Sequence, residues 1–158
     1  MTPDDWDAVA GIYREGIETR QATFETKVPS WDQWDESHHQ FARLVLIVDS
    51  EIKGWAALSR VSARDVYAGV AEVSVYVRST SRGRGFGRVL LEALIDEAER
   101  NGIWTLQASI FRENEASLHL HSKSGFRIVG YRERIAKLDG IWRDTVLMER
   151  RSSIVGSE

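Results

Sequence analysis

The chain has 158 residues, of which 42% are hydrophobic and 28% charged, and its formal net charge is −3. This length predicts one domain with one core. No apolar run approaches the roughly 18–20 residues of a membrane span, and the acidic start MTPDDWD is unlike a signal peptide, so we expect a cytoplasmic protein that does not bind membranes. The absence of cysteine excludes disulfides, thiolate nucleophiles and cysteine metal sites, and the acidic balance argues against a nucleic-acid-binding protein.

The first part of the chain predicts two helices followed by three strands. Thr2-Pro3-Asp4-Asp5 and Ser30-Trp31-Asp32-Gln33 both have the form of a helix N-terminus, and RQATFETKVP between the two helices predicts a loop because it has no hydrophobic period. Dense apolar and β-branched residues predict strands over 44–48, 52–61 and 70–77, the first two as a hairpin.

The second part alternates helices with strands. An amphipathic helix runs to about Arg100, and a strand over 103–111 and a short helix over 114–125 follow it. Asp139-Gly140 predicts a type I′ turn between strands over 126–138 and 141–150. The order predicts an α+β domain over residues 1–150, a mixed sheet covered by helices, and a flexible tail over residues 151–158.

A glycine-rich loop joins the strand over 70–77 to the long helix, in the stretch VYVRSTSRGRGFGRVLLEAL (residues 75–94). It is not a dinucleotide fingerprint, because Arg88 stands where G-x-G-x-x-G from Gly83 needs a third glycine, and it is not a P-loop, because no G-K-[ST] follows. Glycines before a helix can point N–H groups at one anion, and the helix dipole favours a negative charge there. A tight turn without a ligand remains the alternative.

Two motifs together resemble the GNAT superfamily of acetyl-CoA-dependent N-acetyltransferases. The first is Arg82-x-x-Gly85-x-Gly87, and the second is NEASLHLHSKSGF from Asn114 to Phe126. AEVSVYV, ETRQATFET and DGIWRD are in addition similar to the phosphinothricin or methionine sulfone acetyltransferase branch. The family opens with a strand before its first helix, whereas this chain begins almost inside that helix, so either the start site is misassigned or that strand is missing.

The resemblance implies a GNAT fold, whose twisted, mostly antiparallel mixed sheet has helices on both faces and splays after the Glu72 strand. It implies acetyl-CoA as donor substrate and no metal. The pyrophosphate would bind N–H groups of residues 83–88, Arg82 or Arg84 could reach the phosphates, and Asn114 would hydrogen-bond the pantetheine arm. The full set of donor-binding residues that it implies is Val75, Tyr76, Val77, Arg82, Gly83, Arg84, Gly85, Phe86, Gly87, Arg88, Asn114 and Ser117.

Without cysteine a thiol acyl-enzyme is impossible, so direct attack of an amine on the thioester is the natural route, and the amine must be neutral to attack. At pH 7 an α-amine is neutral in roughly one molecule in 5–10 and a lysine in about one in 2,500, so an α-amino acceptor demands less of a base. Glu72 is the candidate base, since an acid among valines in a strand suggests a buried carboxylate, although a solvent-facing residue of an alternating strand is the alternative. It could act directly or through a water.

His121 stands where many family members have a tyrosine that protonates the leaving thiolate. A histidine there could donate that proton or share the role of base, and a packing role is the alternative. His119 is interpreted as structural. For an acceptor carboxylate we predict Arg64, near Tyr67, with Phe24 and Thr26 shaping the pocket.

The resemblance thus implies a small amino acid-like amine acceptor, of the phosphinothricin, methionine sulfoximine or methionine sulfone type, and a homodimer. Three other functions stay open at this point. The chain could acetylate a protein or peptide amine, it could bind acetyl-CoA without turnover, or it could be a nucleotide-binding protein, against which the failed dinucleotide and P-loop spacings count.

Overall fold

The computed structural model describes residues 1–157, and every predicted helix and strand is present in it. A one-turn 3₁₀ helix, Pro3–Asp5, precedes the first α-helix. Within residues 1–157, none of the helices has the length and apolar character of a membrane span. The elements in chain order are α1 (Trp6–Glu18), α2 (Trp31–Ser37), β1 (Leu44–Val48), β2 (Glu51–Arg60), β3 (Val70–Val77), α3 (Phe86–Arg100), β4 (Thr105–Phe111), α4 (Glu115–Lys123), β5 (Arg127–Leu138) and β6 (Ile141–Arg151).

Local chemistry sets several of these boundaries. At α2 the capping box is reciprocal, since the N–H of Gln33 donates to Ser30 Oγ at 3.3 Å and the N–H of Ser30 donates to Gln33 Oε1 at 3.0 Å. Asp139 and Gly140 have φ angles of +49° and +80°, as the central residues of a type I′ turn require, and this turn sets the start of β6.

The six strands form one mixed sheet in the order β1-β2-β3-β4-β6-β5. Every neighbouring pair is antiparallel except β3 and β4, which are parallel and pair only at Val70↔Thr105, Ala71↔Leu106 and Glu72↔Gln107. The predicted fold class is therefore confirmed, and the short parallel pairing is the feature that positions the site.

Helices cover both faces of the sheet, and side chains of alternate strand residues divide between two cores. On one face, α3 contributes Leu90, Leu91 and Leu94 to a cluster that we call the α3-face cluster, with Ala56 and Leu58 of β2. On the other face, the α1-face cluster contains Val9, Ile12, Trp34, Trp55 and Ala57. Because successive strand residues point to opposite faces, residues two apart in one strand face the same cluster.

The last strand and the residues after it are linked to the loop before β4. β6 continues through Arg151, the first residue of the predicted tail. The N–H of Ser152 donates to the carbonyl of Trp104 at 2.8 Å, and the Arg151 guanidinium donates to the same carbonyl at 2.9 Å and to that of Val155 at 2.7 Å. These bonds tie the residues just after β6 to the loop before β4.

Candidate active site

The central feature of the candidate site is an opening in the sheet. After Glu72↔Gln107, β3 stays paired with β2 as far as Val77 and β4 stays paired with β6 as far as Phe111, but no hydrogen bond joins residues 73–77 to residues 108–111. We call this opening the sheet gap. A cavity of about 1610 Å³ occupies it and is lined by residues from both strands.

The cavity connects the two faces of the sheet through this gap. Val73, Val75 and Val77 pack against the α3-face cluster, while Tyr76 packs in the α1-face cluster, and all four line the cavity. Since side chains alternate, Glu72 and Ser74 lie on the α1 face together with Tyr76. A ligand that enters from the α3 face can therefore present a reactive group to polar residues on the α1 face.

The glycine loop lies at the mouth of the gap and has the backbone conformation that the sequence predicts. Gly83 and Gly85 have φ angles of +75° and +80°, and a side chain at either position would extend into open space. Gly85 is the N-cap of α3, and within residues 1–157 no hydrogen bond is made by the N–H groups of residues 83–88. Several free donors and the positive end of a 15-residue helix thus meet at one place, which suits a diphosphate.

The arginines of this loop differ in their surroundings. Arg82 lines the cavity, as do Phe86, Gly87 and Arg88 of the loop and helix start. Arg84 does not line it, because its guanidinium lies over the Phe86 ring, 4.9 Å from the ring centroid. Of the two arginines predicted to reach the phosphates, Arg82 is the one that lines the cavity, and the role of either stays a prediction.

Asn114 is the N-cap of α4, and its amide bonds to this chain at both ends. Its Oδ1 accepts the N–H of Ser117 at 3.1 Å, and its Nδ2 donates to the carbonyl of Gln21 at 3.0 Å. In this structure the amide ties α4 to the loop between α1 and α2, and Asn114 also lines the cavity. One N–H of Nδ2 and one lone pair of Oδ1 have no partner within residues 1–157, so a hydrogen bond from Asn114 to a pantetheine arm stays a prediction. Ser117 lines the cavity one turn further along α4.

His121 lies in α4, lines the cavity and is buried, with its ring edge-to-face against Phe126 at 5.1 Å. Its Nδ1 is 2.8 Å from the carbonyl of Ser117, which can only accept, so Nδ1 carries the proton and Nε2 has the free lone pair. Burial lowers the pKa of His121. The neutral ring can thus accept a proton at Nε2, which favours a share in the role of base over the predicted donation to a thiolate.

Glu72 lies at the point where β3 and β4 separate. Its carboxylate accepts a hydrogen bond from Gln107 Nε2 at 3.0 Å, and the residue lines the cavity. Glu72 is partly buried rather than fully buried as expected, because its side chain faces the gap and not the packed core. The carboxylate is therefore held by one neighbour and accessible to a ligand.

The predicted acceptor residues do not come together. Phe24 lines the cavity and packs edge-to-face on Phe111 at 4.7 Å. Thr26 lines a separate cavity of about 340 Å³, and Arg64 and Tyr67 lie in the exposed β2–β3 loop, with the guanidinium 5.6 Å from the Tyr67 ring centroid. Thr26, Arg64 and Tyr67 are thus outside the cavity lining, and a role for them in acceptor binding stays a prediction that this geometry does not favour.

Tyr13 and Arg132, which no sequence motif singles out, line the cavity together with the predicted Tyr76. Tyr13 and Tyr76 pack against each other at 4.9 Å between ring centroids, and burial raises the pKa of Tyr13 to about 12, so both hydroxyls stay protonated. Arg132 comes from an irregular part of β5 where the pairing register shifts. No group of three or more His, Cys, Asp or Glu side chains within residues 1–157 could hold a metal ion.

Comparisons with known proteins agree with this geometry. The model of the acetyltransferase (GNAT) family matches residues 6–126. The chain is 35% identical over 157 residues to a phosphinothricin N-acetyltransferase of Alcaligenes faecalis, which covers 93% of this chain and 78% of that protein. It is 30% identical over 151 residues to an L-methionine sulfoximine/L-methionine sulfone acetyltransferase of Pseudomonas paraeruginosa, which covers 92% of this chain and 88% of that protein.

A solved structure of similar fold contains acetyl-CoA. The crystal structure of a GNAT superfamily phosphinothricin acetyltransferase from Sinorhizobium meliloti, in complex with acetyl-CoA, superposes with a TM-score of 0.90 at 25% identity and covers 100% of this chain and 89% of that one. The open glycine cradle, the free N–H groups of residues 83–88 and the unpaired strand edges fit this donor. The chain therefore belongs to the GNAT family and is an acetyl-CoA-dependent N-acetyltransferase.

Proposed function

We propose that this enzyme transfers the acetyl group directly to the amine of a small amino acid-like acceptor of the phosphinothricin or methionine sulfoximine/sulfone type. The observation that carries the proposal is the loop between α1 and α2, which lies across the sheet gap on the α1 face and contacts both of its sides. A protein or peptide amine would need an open groove there. The names of the curated relatives support the same acceptor class.

The crossing of this loop depends on contacts at both of its ends. At its start, Gly16 of α1 packs so closely on the Tyr76 ring that an added Cβ would lie 2.7 Å from ring atoms. Further on, the Gln21 carbonyl accepts from Asn114, and Phe24 packs on Phe111 of β4. The loop is thus attached to β3 on one side of the gap and to β4 and α4 on the other.

Arg132 is the cation that we propose for the carboxylate of the acceptor. It pairs in register with Thr145 of β6, which pairs with Phe111 of β4, so its side chain lies on the α1 face with the acceptor pocket. Arg132 lines the cavity and forms no ion pair within residues 1–157. A guanidinium without a partner is suited to bind a planar carboxylate in a bidentate manner.

For the donor, we propose that the N–H groups of residues 83–88 and Arg82 hold the pyrophosphate. The free backbone edge of Val75, Tyr76 and Val77 would hold the pantetheine arm as an added strand. Acetyl-CoA supplies the thioester that the amine attacks. The predictions for these residues rest on the open loop and the unpaired strand edge described above.

For the chemistry, we propose that Glu72 accepts a proton from the acceptor ammonium, directly or through a water. Gln107 holds the carboxylate in place, and the position of Glu72 at the root of the gap brings it near any amine that meets a thioester there. His121, neutral and with Nε2 free, would share the role of base. General base catalysis of this kind contributes about 10²–10⁴-fold.

We further propose a homodimer. The β5–β6 hairpin at the edge of the sheet exposes large apolar side chains, with Tyr131, Ile141 and Trp142 at 68%, 67% and 47% exposure. Exposed apolar surface next to an edge strand favours association with a second copy.

Sedimentation velocity should give twice the mass of one chain, and a single-chain mass at micromolar concentration would contradict the proposal. The cytoplasmic location stays a prediction from the sequence.

A panel of acceptors tests the proposed substrate class. With acetyl-CoA and free thiol as the readout, methionine sulfone and phosphinothricin should react with a higher kcat/KM than an alanine tripeptide with a free N-terminus. Arg132→Gln should raise the KM for methionine sulfone about tenfold and leave the KM for acetyl-CoA unchanged, because one charge-assisted contact is lost. Faster turnover of the tripeptide would overturn the small-molecule proposal.

Glu72→Gln tests the base. The amide can still accept the bond from Gln107, so acetyl-CoA affinity should be retained while kcat falls about 10²–10⁴-fold at pH 7. Glu25→Gln is the matched control, since Glu25 is another carboxylate in the cavity lining and has no proposed role in proton transfer. Unchanged turnover in Glu72→Gln, or an equal loss in both variants, would show that Glu72 is not the base.

Gly85→Val tests the phosphate loop. A side chain there would enter the space proposed for the pyrophosphate and force a left-handed residue, and we expect acetyl-CoA affinity to fall more than tenfold by calorimetry. Gly102→Val carries the same backbone strain at φ +78°, just after the opposite end of α3. That control should bind acetyl-CoA with the wild-type Kd. Wild-type affinity in Gly85→Val would refute the assignment of the loop.

A further inference from the structure

His38, which follows α2 directly, lines the cavity on the α1 face and was not singled out by any sequence motif. Its ring is stacked on Trp34, 4.1 Å between centroids, and its Nδ1 lies 2.7 Å from the carbonyl of Trp34. That carbonyl can only accept, so Nδ1 carries the proton and Nε2 has the lone pair. Within residues 1–157 Nε2 makes no hydrogen bond, and unlike the unpaired Nε2 of His39 it is not buried.

The register of the sheet connects His38 to the proposed base. An isolated bridge pairs His38 with Ser59, Ser59 pairs with Glu72, and Glu72 pairs with Gln107. Residues in register on neighbouring strands share a face, with Cβ atoms about 4.5–5.5 Å apart. His38, Ser59 and Glu72 all line the cavity, and Ser59 stands between the other two residues in register. The Ser59 hydroxyl makes no hydrogen bond within residues 1–157, so no other group competes with the carboxylate or the imidazole for it.

The reaction needs a route for a proton. Acetylation of an ammonium by acetyl-CoA gives an amide, the free thiol and one proton, because the nitrogen loses two protons and the thiolate takes up only one. Glu72 must therefore pass a proton to solvent in every turnover. The α1–α2 loop lies over this side of the gap, so a defined route would let the proton pass from Glu72 to solvent.

We propose that Ser59 and His38 form a relay that carries this proton from Glu72 to solvent, an inference that rests on the proposed role of Glu72. Protonated Glu72 gives its proton to Ser59 Oγ while the Ser59 hydroxyl gives its own to His38 Nε2. One O–H bond of Glu72 breaks and one N–H bond of His38 forms. The imidazolium then releases the proton to water, and Glu72, Ser59 and His38 return to their starting forms. His38 acts through Glu72 and does not touch the acceptor.

The surroundings keep His38 ready to accept a proton. Burial lowers the pKa of His38, and the charges of Arg43 and His39 act in the same direction. Arg43 donates to the His38 carbonyl at 3.1 Å and is itself paired with Asp35. Glu72, across Ser59, is the charged group that faces His38 from the strands. His38 is therefore neutral between turnovers, and once protonated it releases the proton to water.

His38→Asn tests the relay, because the asparagine amide can keep the bond to the Trp34 carbonyl while Nε2 is lost. Assays use acetyl-CoA with the fastest acceptor among methionine sulfone, phosphinothricin and the alanine tripeptide. The relay can therefore be tested even if the proposed acceptor class is wrong. We expect kcat at pH 7 to fall about tenfold with an unchanged KM for acetyl-CoA. Imidazole and substituted imidazoles should restore turnover, with a rate that rises with the pKa of the added base. Ser59→Ala should cause a similar loss, and the double variant should be no slower than either single one.

His39→Asn is the matched control, since His39 adjoins His38 but does not line the cavity. It should keep the wild-type kcat and show no response to imidazole. Wild-type kcat in His38→Asn, or rescue that does not depend on the pKa of the added base, would overturn the relay and leave Glu72 as the base. If Glu72→Gln keeps full turnover, the proposed function of Glu72 fails, and the relay fails with it.

Discussion

The structure depends on one interruption of backbone pairing, the end of the β3–β4 ladder after three residue pairs. Each strand keeps its outer partner, so the sheet stays intact while two backbone edges inside it have no partner. A buried backbone group without a hydrogen bond costs about 1–3 kcal/mol, so such edges favour a ligand that supplies the missing bonds. The gap is therefore a local weakness of the sheet, and under the proposed function it is where an extended thioester arm would bind.

The sequence of β3 serves both sides of this gap. Its odd-numbered valines anchor the strand on the α3-face cluster, where the glycine loop and the start of α3 lie, and its even-numbered residues Glu72, Ser74 and Tyr76 face the acceptor side. A slip of one residue would exchange the two sets and place the carboxylate in the α3 core. The full-length antiparallel pairing with β2, and Tyr76 packed against Trp55 and Tyr13, oppose such a slip.

The sequence predicts those parts of the site whose conformation depends on a few neighbouring residues. Gly83, Gly85, the cap of α3 and the Glu72 strand are read from turn chemistry and strand propensity over a few residues. The motif that contains Asn114 can be read locally, but its partner Gln21 is 93 residues away, so no local pattern predicts the tie to the α1–α2 loop. Arg64 is near the Glu72 strand in sequence, whereas Arg132 lines the cavity through its pairing with β6 next to a register shift in β5. Such placements depend on pairing across the sheet, which one sequence does not encode in a local pattern.

Two histidines on opposite faces of the gap have the same local geometry. His38 and His121 each donate Nδ1–H to the carbonyl four residues earlier, Trp34 and Ser117, which fixes the tautomer and leaves Nε2 as an acceptor. Burial lowers the pKa of both, so both are neutral where an ordinary surface histidine would be partly charged. This arrangement suits a reaction whose acceptor enters as an ammonium, because proton acceptors, and not donors, have to be present before the amine can attack. The helix ends that carry these histidines thus set a protonation state as well as a position, which is what the roles proposed for both residues require.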